Sequence, residues 1–284
     1  MNVVFVVLHY CQVQVTQKCI ESLLNLKGQS QVVVVDNASP DASGKILEEK
    51  FKGNDVVHVI LNEDNLGFAT ANNIGYAYAK NKLGAEVIVV INNDTVVEDK
   101  DFVVKLLASP YLKSHHVIAP DIVNRDGCHQ NPKALFAPKY DKILKNYRRA
   151  KINRFLYSIP IVGDIKAYFT FSKKQYCSSN DTVCEMIVPH GAAIIYSPCW
   201  VNKEDIAFFP GTFMYVEETL LYYYIINHNY KIVYSPDLKV RHFEDMSTKS
   251  RFNNKRKRGL FQLNNSIKSH EILIDYMIRN NNLN

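Results

Sequence analysis

Four carboxylates and a histidine stand where this 284-residue sequence turns from apolar to polar. Asp36 follows four consecutive valines, 32–35. Asp94 ends the run Asn92-Asn93-Asp94, directly after the β-branched stretch Val87 to Ile91. Continuous β-branched runs read as strands buried on both faces. Polar side chains at the carboxyl ends of such strands sit where open α/β sheets bind ligands. A carboxylate there can hold a divalent cation against a phosphate, and an Asp with a neutral His, here His242, is a plausible metal pair. Glu217 and Glu218 open a helical stretch. Adjacent residues on a helix point about 100° apart, so only one faces a given site, where it could take a proton from an incoming hydroxyl. Each residue also has a plainer reading. Asn and Asp favour turns, Asp36 could simply cap a helix, and a helix N-terminus stabilises glutamates.

The elements that must position these groups follow from periodicity. Strands are expected at 3–8, 32–35, 56–61, 86–91 and 116–119. A helix from about Thr16 carries Ile20, Leu23 and Leu24 and stops at Gly28; a second ends near Phe51; a short one runs Asp101 to Ala108. In 65–82, Phe68, Ala71, Ile74, Gly75 and Tyr78 form a small, apolar helix face that can lie close to a sheet. Strands alternating with helices over 1–120 imply a parallel sheet of right-handed βαβ units. Past 120 the period fades. Helical pieces are expected in 139–158, strand character in 183–197 around Pro189-His190-Gly191, a helix over 216–227, two short strands at 231–235 and 238–242, and a C-terminal helix over 257–279. That last helix has Leu263, Ile267, Ile274, Met277 and Ile278 on one stripe. The division is then 1–120, an α/β half; 121–248, a mixed half of the same domain; and 249–284, a basic segment and helix.

A composition of 47% hydrophobic and 22% charged residues is that of a soluble globular protein. The apolar runs are too short to span a bilayer, and Met1 to Tyr10 reads as a first strand, not a signal peptide. The net charge of +6 is local: segments 139–154 and 249–258 hold 13 of the 34 basic residues and 1 of the 28 acidic ones. The remainder carries 21 basic and 27 acidic residues, a net of −6. Such patches attract phosphate-rich partners. Segment 139–158 interleaves its charges with Leu144, Tyr147, Ile152, Phe155, Leu156 and Tyr157, so it can lie on an anionic membrane surface or serve as a solvated face. The six cysteines show no Cys-x-x-Cys or zinc spacing. They are expected as free thiols in a reducing cytoplasm. Trp200 and the run Tyr222-Tyr223-Tyr224 read as core or helix face, and His190 as structural.

The ordered set of motifs resembles glycosyltransferase family 2. It comprises the end of strand one, Asp36 to Asp41, Asn65-Leu66-Gly67-Phe68-Ala69 with Asn72, Asn92-Asn93-Asp94, Gly191-Ala192, Glu217-Glu218 and His242, and it covers residues 1 to about 250. The resemblance implies a GT-A fold: a mostly parallel, Rossmann-like sheet flanked by helices, with a mixed acceptor-side region. It implies inverting, metal-dependent transfer of a hexosyl or rhamnosyl group from a nucleotide-diphosphate sugar to a saccharide or lipid-linked saccharide. Leu8, His9, Tyr10, Asp36, Asn65, Gly67, Asn72 and Asn93 would bind the donor nucleotide. Gly191 and Ala192 would line the sugar pocket, Asp94 would hold Mg²⁺ or Mn²⁺, and His242 would be a second metal ligand or a phosphate contact. Glu218 would be the base, with Glu217 as second choice. The family usually has Glu-Asp there, and it often has Asn where this chain has Cys11. The implied location is the cytoplasm, at the inner face of the membrane if the acceptor is lipid-linked.

Competing classes fare worse. A nucleotidyltransferase would show a Gly- and Lys/Arg-rich loop after strand one, and residues 9–15 have neither. A nucleic-acid or anionic-surface binder could use the two basic patches, but no nucleic-acid module is visible, so no nucleic-acid partner is expected. An inactive scaffold has only the Glu-for-Asp change behind it.

Overall fold

Runs that are apolar on both sides must be covered on both sides, and they form the middle of one twisted sheet. The computed structural model describes residues 1–170, 182–243 and 254–283. β1 (Val3–His9), β2 (Ser30–Asp36), β3 (Val57–Leu61) and β4 (Val87–Asn92) run parallel in the spatial order 3-2-1-4. They are linked by α1 (Val13–Leu24), α2 (Ser43–Lys50) and α3 (Gly67–Asn81). Then come β5 (Thr95–Val96), α4 (Phe102–Ala108), a 3₁₀ turn at Pro110–Lys113 and β6 (Val117–Asn124). The second half holds α5 (Tyr140–Ser158), α6 (Pro160–Thr170), β7 (Cys184–Glu185), β8 (Ala193–Tyr196) and α7 (Pro198–Val201). It ends with α8 (Glu217–Asn227), β9 (Ile232–His242) and α9 (Lys255–Arg279).

Alternate strand residues feed two cores. Phe5, Val7 and Val89 meet Cys19, Ile20 and Leu23 of α1 and Phe102 of α4 on one side. Val4, Val6 and Val90 meet Ala71 and Tyr76 of α3 and Trp200 of α7 on the other. Gly75 is what lets α3 lie so close: a Cβ there would be 2.4 Å from Val6 Cγ1 and 2.8 Å from Val35 Cγ2. The buried face of α3 is centred on Ala71, Asn72, Gly75, Tyr76 and Ala79, with Phe68, Ile74 and Tyr78 at its margins.

The second half departs from the periodicity reading in several places. The stretch 139–158 is one helix of 19 residues followed by a second, α6. Its buried residues Ile143, Ala150 and Tyr157 recur every seven positions, a single narrow seam that the abundant charges hide. The expected strands 231–235 and 238–242 are one strand with a bulge. β9 pairs parallel to β6 on both sides of a register shift after Pro120 and Ser235. Proline, lacking an N–H, is tolerated at such a bulge, so Pro236 interrupts the ladder without ending the strand. Strand character over 183–189 shrinks to Cys184–Glu185, because Met186 takes a left-handed backbone angle. On α9, Ile278 is exposed, and the buried line runs through Ile267, Leu273, Tyr276 and Met277.

The cysteine expectation also needs correcting. Cys11, Cys19, Cys184 and Cys199 are thiols, but Cys128 is disulfide-bonded. Spacing along the chain does not reveal such a bond, since pairing requires only that the fold bring two Cα atoms within about 4.4–6.8 Å. Cys177 lies outside the described residues, as do 249–253 of the second basic segment. Trp200 and Tyr222 to Tyr224 do fall in core and helix face. Among the described residues no helix is long and apolar enough to cross a membrane.

Candidate active site

Strand register brings the polar strand ends level. His9 pairs with Asp36, and Leu8 pairs with Asn92. Behind them runs a directed hydrogen-bond chain. Asn93 Nδ2 donates to Thr16 Oγ1 at 2.9 Å, and Thr16 Oγ1 lies 2.6 Å from His9 Nδ1. His9 Nε2 lies 2.8 Å from Ser43 Oγ, which donates to Asp41 Oδ1. With Asn93 as a donor, the protons run from Thr16 to His9 and on through Ser43 to Asp41. The chain requires a neutral imidazole, and burial holds His9 below its usual range although Asp36 and Asp41 oppose it. His9 is thus fully enclosed, with both ring nitrogens bonded inside the protein; it braces the strand ends.

Asp36 accepts from Ser39 and packs against Gly44, where a Cβ would lie 2.1 Å from its Oδ2. Asn37 donates to Asn65 Oδ1 and to the Gly67 carbonyl, and its own oxygen accepts from the Leu66 N–H. Gly67 has φ +79°, and a side chain there would strike the backbone of Phe213. Asn72 is buried, with Nδ2 on the Phe68 carbonyl and Oδ1 without a partner. Leu8 and Tyr10 are half-buried at the end of β1.

The other cluster is assembled from distant segments. β5 pairs antiparallel with β9, setting Thr95 opposite His242. His242 Nε2 then lies 3.3 Å from Asp94 Oδ1, and Nδ1 lies 2.8 Å from Gln130 Oε1. An amide oxygen can only accept, so Nδ1 carries the proton. Nε2 therefore faces the Asp94 carboxylate, an ion pair when the ring is charged and a lone pair open to a cation when it is not. Among the described residues no three His, Cys, Asp or Glu side chains could hold a metal together; a cation at Asp94 and His242 would take its other ligands from phosphate oxygens and water.

Asn92 N–H bonds to the Ala192 carbonyl, which sets Gly191 and Ala192 beside the Asn92-Asn93-Asp94 turn. Gly191 N–H in turn donates to Glu218 Oε1 at 3.3 Å. Lys133 Nζ is 3.0 Å from the same oxygen. His190 fills the space between: its ring centroid is 5.5 Å from that of His242, and its Nδ1 accepts the Ala192 N–H. Burial pushes His190 down to about 4, helped by Lys133 and His242 and opposed by Glu218. It is neutral near pH 7, with its proton on Nε2.

The two glutamates differ sharply. Burial and the charge of Glu218 push Glu217 up to about 8, and its Oε1 is buried without a partner. Burial also pushes Glu218 up, but Lys133 and His190 outweigh it and hold Glu218 below the usual carboxylate range. Near neutral pH one is protonated and the other ionised, so only Glu218 can accept a proton. Both sit in the first turn of α8, just after Tyr215 and Val216, whose φ values of 76° and 62° are left-handed. That is unusual for a β-branched residue, and such strain clusters at functional sites. Lys133, His190 and Gln130 carried no sequence signal for this role: each is a single polar residue in an aperiodic stretch.

Residues 4–174, more than half of the chain, match the profile of Glycosyl transferase family 2. The chain belongs to glycosyltransferase family 2. It is similar to the low-salt glycan biosynthesis hexosyltransferase Agl10 of Haloferax volcanii, 30% identical over 117 residues, which are 40% of this chain and 36% of that protein. The dTDP-rhamnosyl transferase RfbF of Shigella flexneri is 32% identical over 132 residues, 46% and 40% of the two chains. The matched stretches span less than half the length of both relatives. Among solved structures, TarS of S. aureus in complex with UDP-GlcNAc aligns over 94% of this chain and 72% of its own, at TM-score 0.54 and 15% identity. GalNAc-T7 with UDP, GalNAc and Mn²⁺ aligns over 93% of this chain and 47% of its own, at TM-score 0.58 and 15% identity. At that identity the likeness concerns the fold, which is the GT-A fold of this glycosyltransferase family.

Proposed function

We propose that this chain is an inverting, metal-dependent glycosyltransferase that moves a hexosyl or rhamnosyl group from a nucleotide-diphosphate sugar to a saccharide or lipid-linked saccharide. The observation that carries it is the convergence of Asp94 and His242 with an ionised Glu218 around Gly191 and His190. In this reading residues 1–120 hold the donor, with Asp36 on the nucleoside and Leu8, Tyr10, Asn65, Gly67, Asn72 and Asn93 shaping its site. Residues 121–248 supply the acceptor side and the base. Gly191 and Ala192 leave room for the donor sugar.

Asp94 and His242 would hold the Mg²⁺ or Mn²⁺. Such an ion supplies Lewis-acid stabilisation of the negative charge that grows on the leaving diphosphate. Glu218 takes the proton of the acceptor hydroxyl as its oxygen bonds to the anomeric carbon and the bond to the diphosphate breaks. One displacement inverts the centre, and no covalent nucleophile is needed. Lys133 keeps Glu218 ionised and oriented. Glu217, protonated, keeps a second negative charge away from the diphosphate. A lipid-linked acceptor would place the enzyme at the inner face of an anionic membrane.

Calorimetric binding of a panel of nucleotide sugars, with and without Mn²⁺ or Mg²⁺, tests this. One donor should bind only with metal, Asp94→Ala should abolish that binding, and Glu218→Gln should bind without turnover. Failure of every donor under either metal would sink the proposal.

A further inference from the structure

Helices α5 and α9, about a hundred residues apart in the chain, pack together. Gly259 of α9 lies against the Tyr157 ring of α5, where a Cβ would be 2.2 Å from Cε1. Arg256 packs on Gly163 and pairs with Asp164 at 3.4 Å. Tyr147 of α5 donates to Glu271 of α9 at 2.8 Å. The seam of Ile143, Ala150 and Tyr157 thus fixes which way α5 faces.

At 100° per residue, Lys145, Arg148, Ile152, Phe155 and Ile159 all fall opposite that seam, within an arc of about 80°. They are exposed: Ile152 by 62% and Phe155 by 67%. The face is graded along its length. Its first half carries Lys145, Arg148 and Arg149 with Asp141, and its second half is apolar. The apolar end continues around the corner into α6, where Ile161 is 77% exposed and Val162 and Ile165 are exposed beside it. Lys151 and Arg154 flank the apolar end, and Lys255 and Lys257 are exposed at the start of α9. A cluster of exposed apolar side chains bordered by basic ones marks an interaction site.

We propose that the α5–α6 corner docks on an anionic lipid bilayer, with Phe155, Ile159, Ile161 and Ile165 entering the headgroup boundary and the basic collar resting on the phosphates. Charge selects the occupant. In a symmetric dimer each patch meets its own copy, which would press two positive collars together, whereas an anionic surface neutralises them. Nucleic acid would satisfy the collar but leave the apolar corner in water. Docking is independent of the transferase chemistry and is readable without turnover.

The test is flotation of the full chain with phosphatidylcholine vesicles, with and without phosphatidylglycerol, at low and high salt. The variants are Arg148→Glu with Arg149→Glu, and Phe155→Ser with Ile161→Ser; all four positions are exposed, and circular dichroism checks the fold. The wild type should float only with the anionic vesicles. Each basic residue removed should weaken binding about fivefold, so the charge pair loses about thirtyfold or more. The apolar pair should lose about tenfold or more. Lack of binding to anionic vesicles, or binding that the apolar pair leaves unchanged, overturns the proposal. So does a dimer in sedimentation that the same variants dissociate while vesicles go unbound, since a second copy would then cover the corner. Displacement from vesicles by single-stranded DNA with the apolar pair still bound to that DNA would leave only a polyanion patch, and would overturn it too.

Discussion

Glu217→Gln should stabilise the protein, and increasingly so as pH rises. The wild-type carboxyl has a folded pKa of about 8 against a reference of 4.5, owing to burial and to the charge of Glu218. A raised folded pKa favours the protonated native state. Its contribution is fully present below pH 4.5 and is lost as pH climbs toward 8. Between those limits the unfolded chain is ionised and the folded one is not, so the wild type loses about 1.4 kcal/mol per pH unit through this group. Across the whole gap the loss reaches about 5 kcal/mol at most. Glutamine has the same shape and cannot ionise, so it escapes the loss. It still leaves a buried polar atom to satisfy, but that cost does not vary with pH. The slope is therefore the readout. Urea unfolding of both proteins at several pH values between about 5 and about 8 gives it directly. Contributions from other titrating groups cancel in the difference between the two proteins. A difference that stays flat across this range would show that Glu217 ionises normally, and the assignment of Glu218 as the sole ionised glutamate would fall with it.

Three further expectations follow from the same geometry. Lys133→Ala removes the charge that most lowers Glu218, so the acidic limb of kcat/KM against pH should move to higher pH; an unmoved limb would mean that Lys133 does not set the state of the base. Gly75→Ala would place a methyl 2.4 Å from Val6 Cγ1, and overpacking of about 1–3 kcal/mol exceeds the ~1 kcal/mol that alanine gains in a helix, so thermal unfolding should shift down. Gly44→Ala would drive a methyl into the Asp36 carboxylate; nucleotide affinity by calorimetry should fall about tenfold, the scale of one charged hydrogen bond, while circular dichroism stays unchanged.

The donor half is legible because its signals are local. Four parallel strands announce themselves as β-branched runs, and parallel register forces their carboxyl ends to one edge, so Asp36 and Asp94 could be placed on that edge from spacing alone. The brace behind them was not legible: His9 looks like a ligand at a strand end until Thr16 and Ser43 close on both its nitrogens. Similarly, Lys133 is one lysine among many until a partner 85 residues away holds it. His190, read as structural, is placed by ring contact with His242 and by the charges on either side. Contacts of this kind have no period, and composition dilutes them.

The register of β9 shows how much can depend on an irregularity that sequence reading turns into a gap. Pro120 pairs with Ser235, but Asp121 pairs with Lys239, so three residues of β9 are passed over. Asn124 consequently lies opposite His242, and Thr95 meets the same histidine from β5. A regular ladder would have put residue 239 there and left His242 about 10 Å further along, at 3.3 Å per residue. Three is also an odd number, so the displaced histidine would have pointed to the opposite face of the sheet. Splitting 231–242 into two strands at Pro236 keeps the histidine in the sequence pattern but loses the reason it faces Asp94. The bulge is the device that turns a histidine at the end of β9 into a partner for that carboxylate. Shortening it by one residue should therefore weaken metal-dependent nucleotide binding even with both Asp94 and His242 intact.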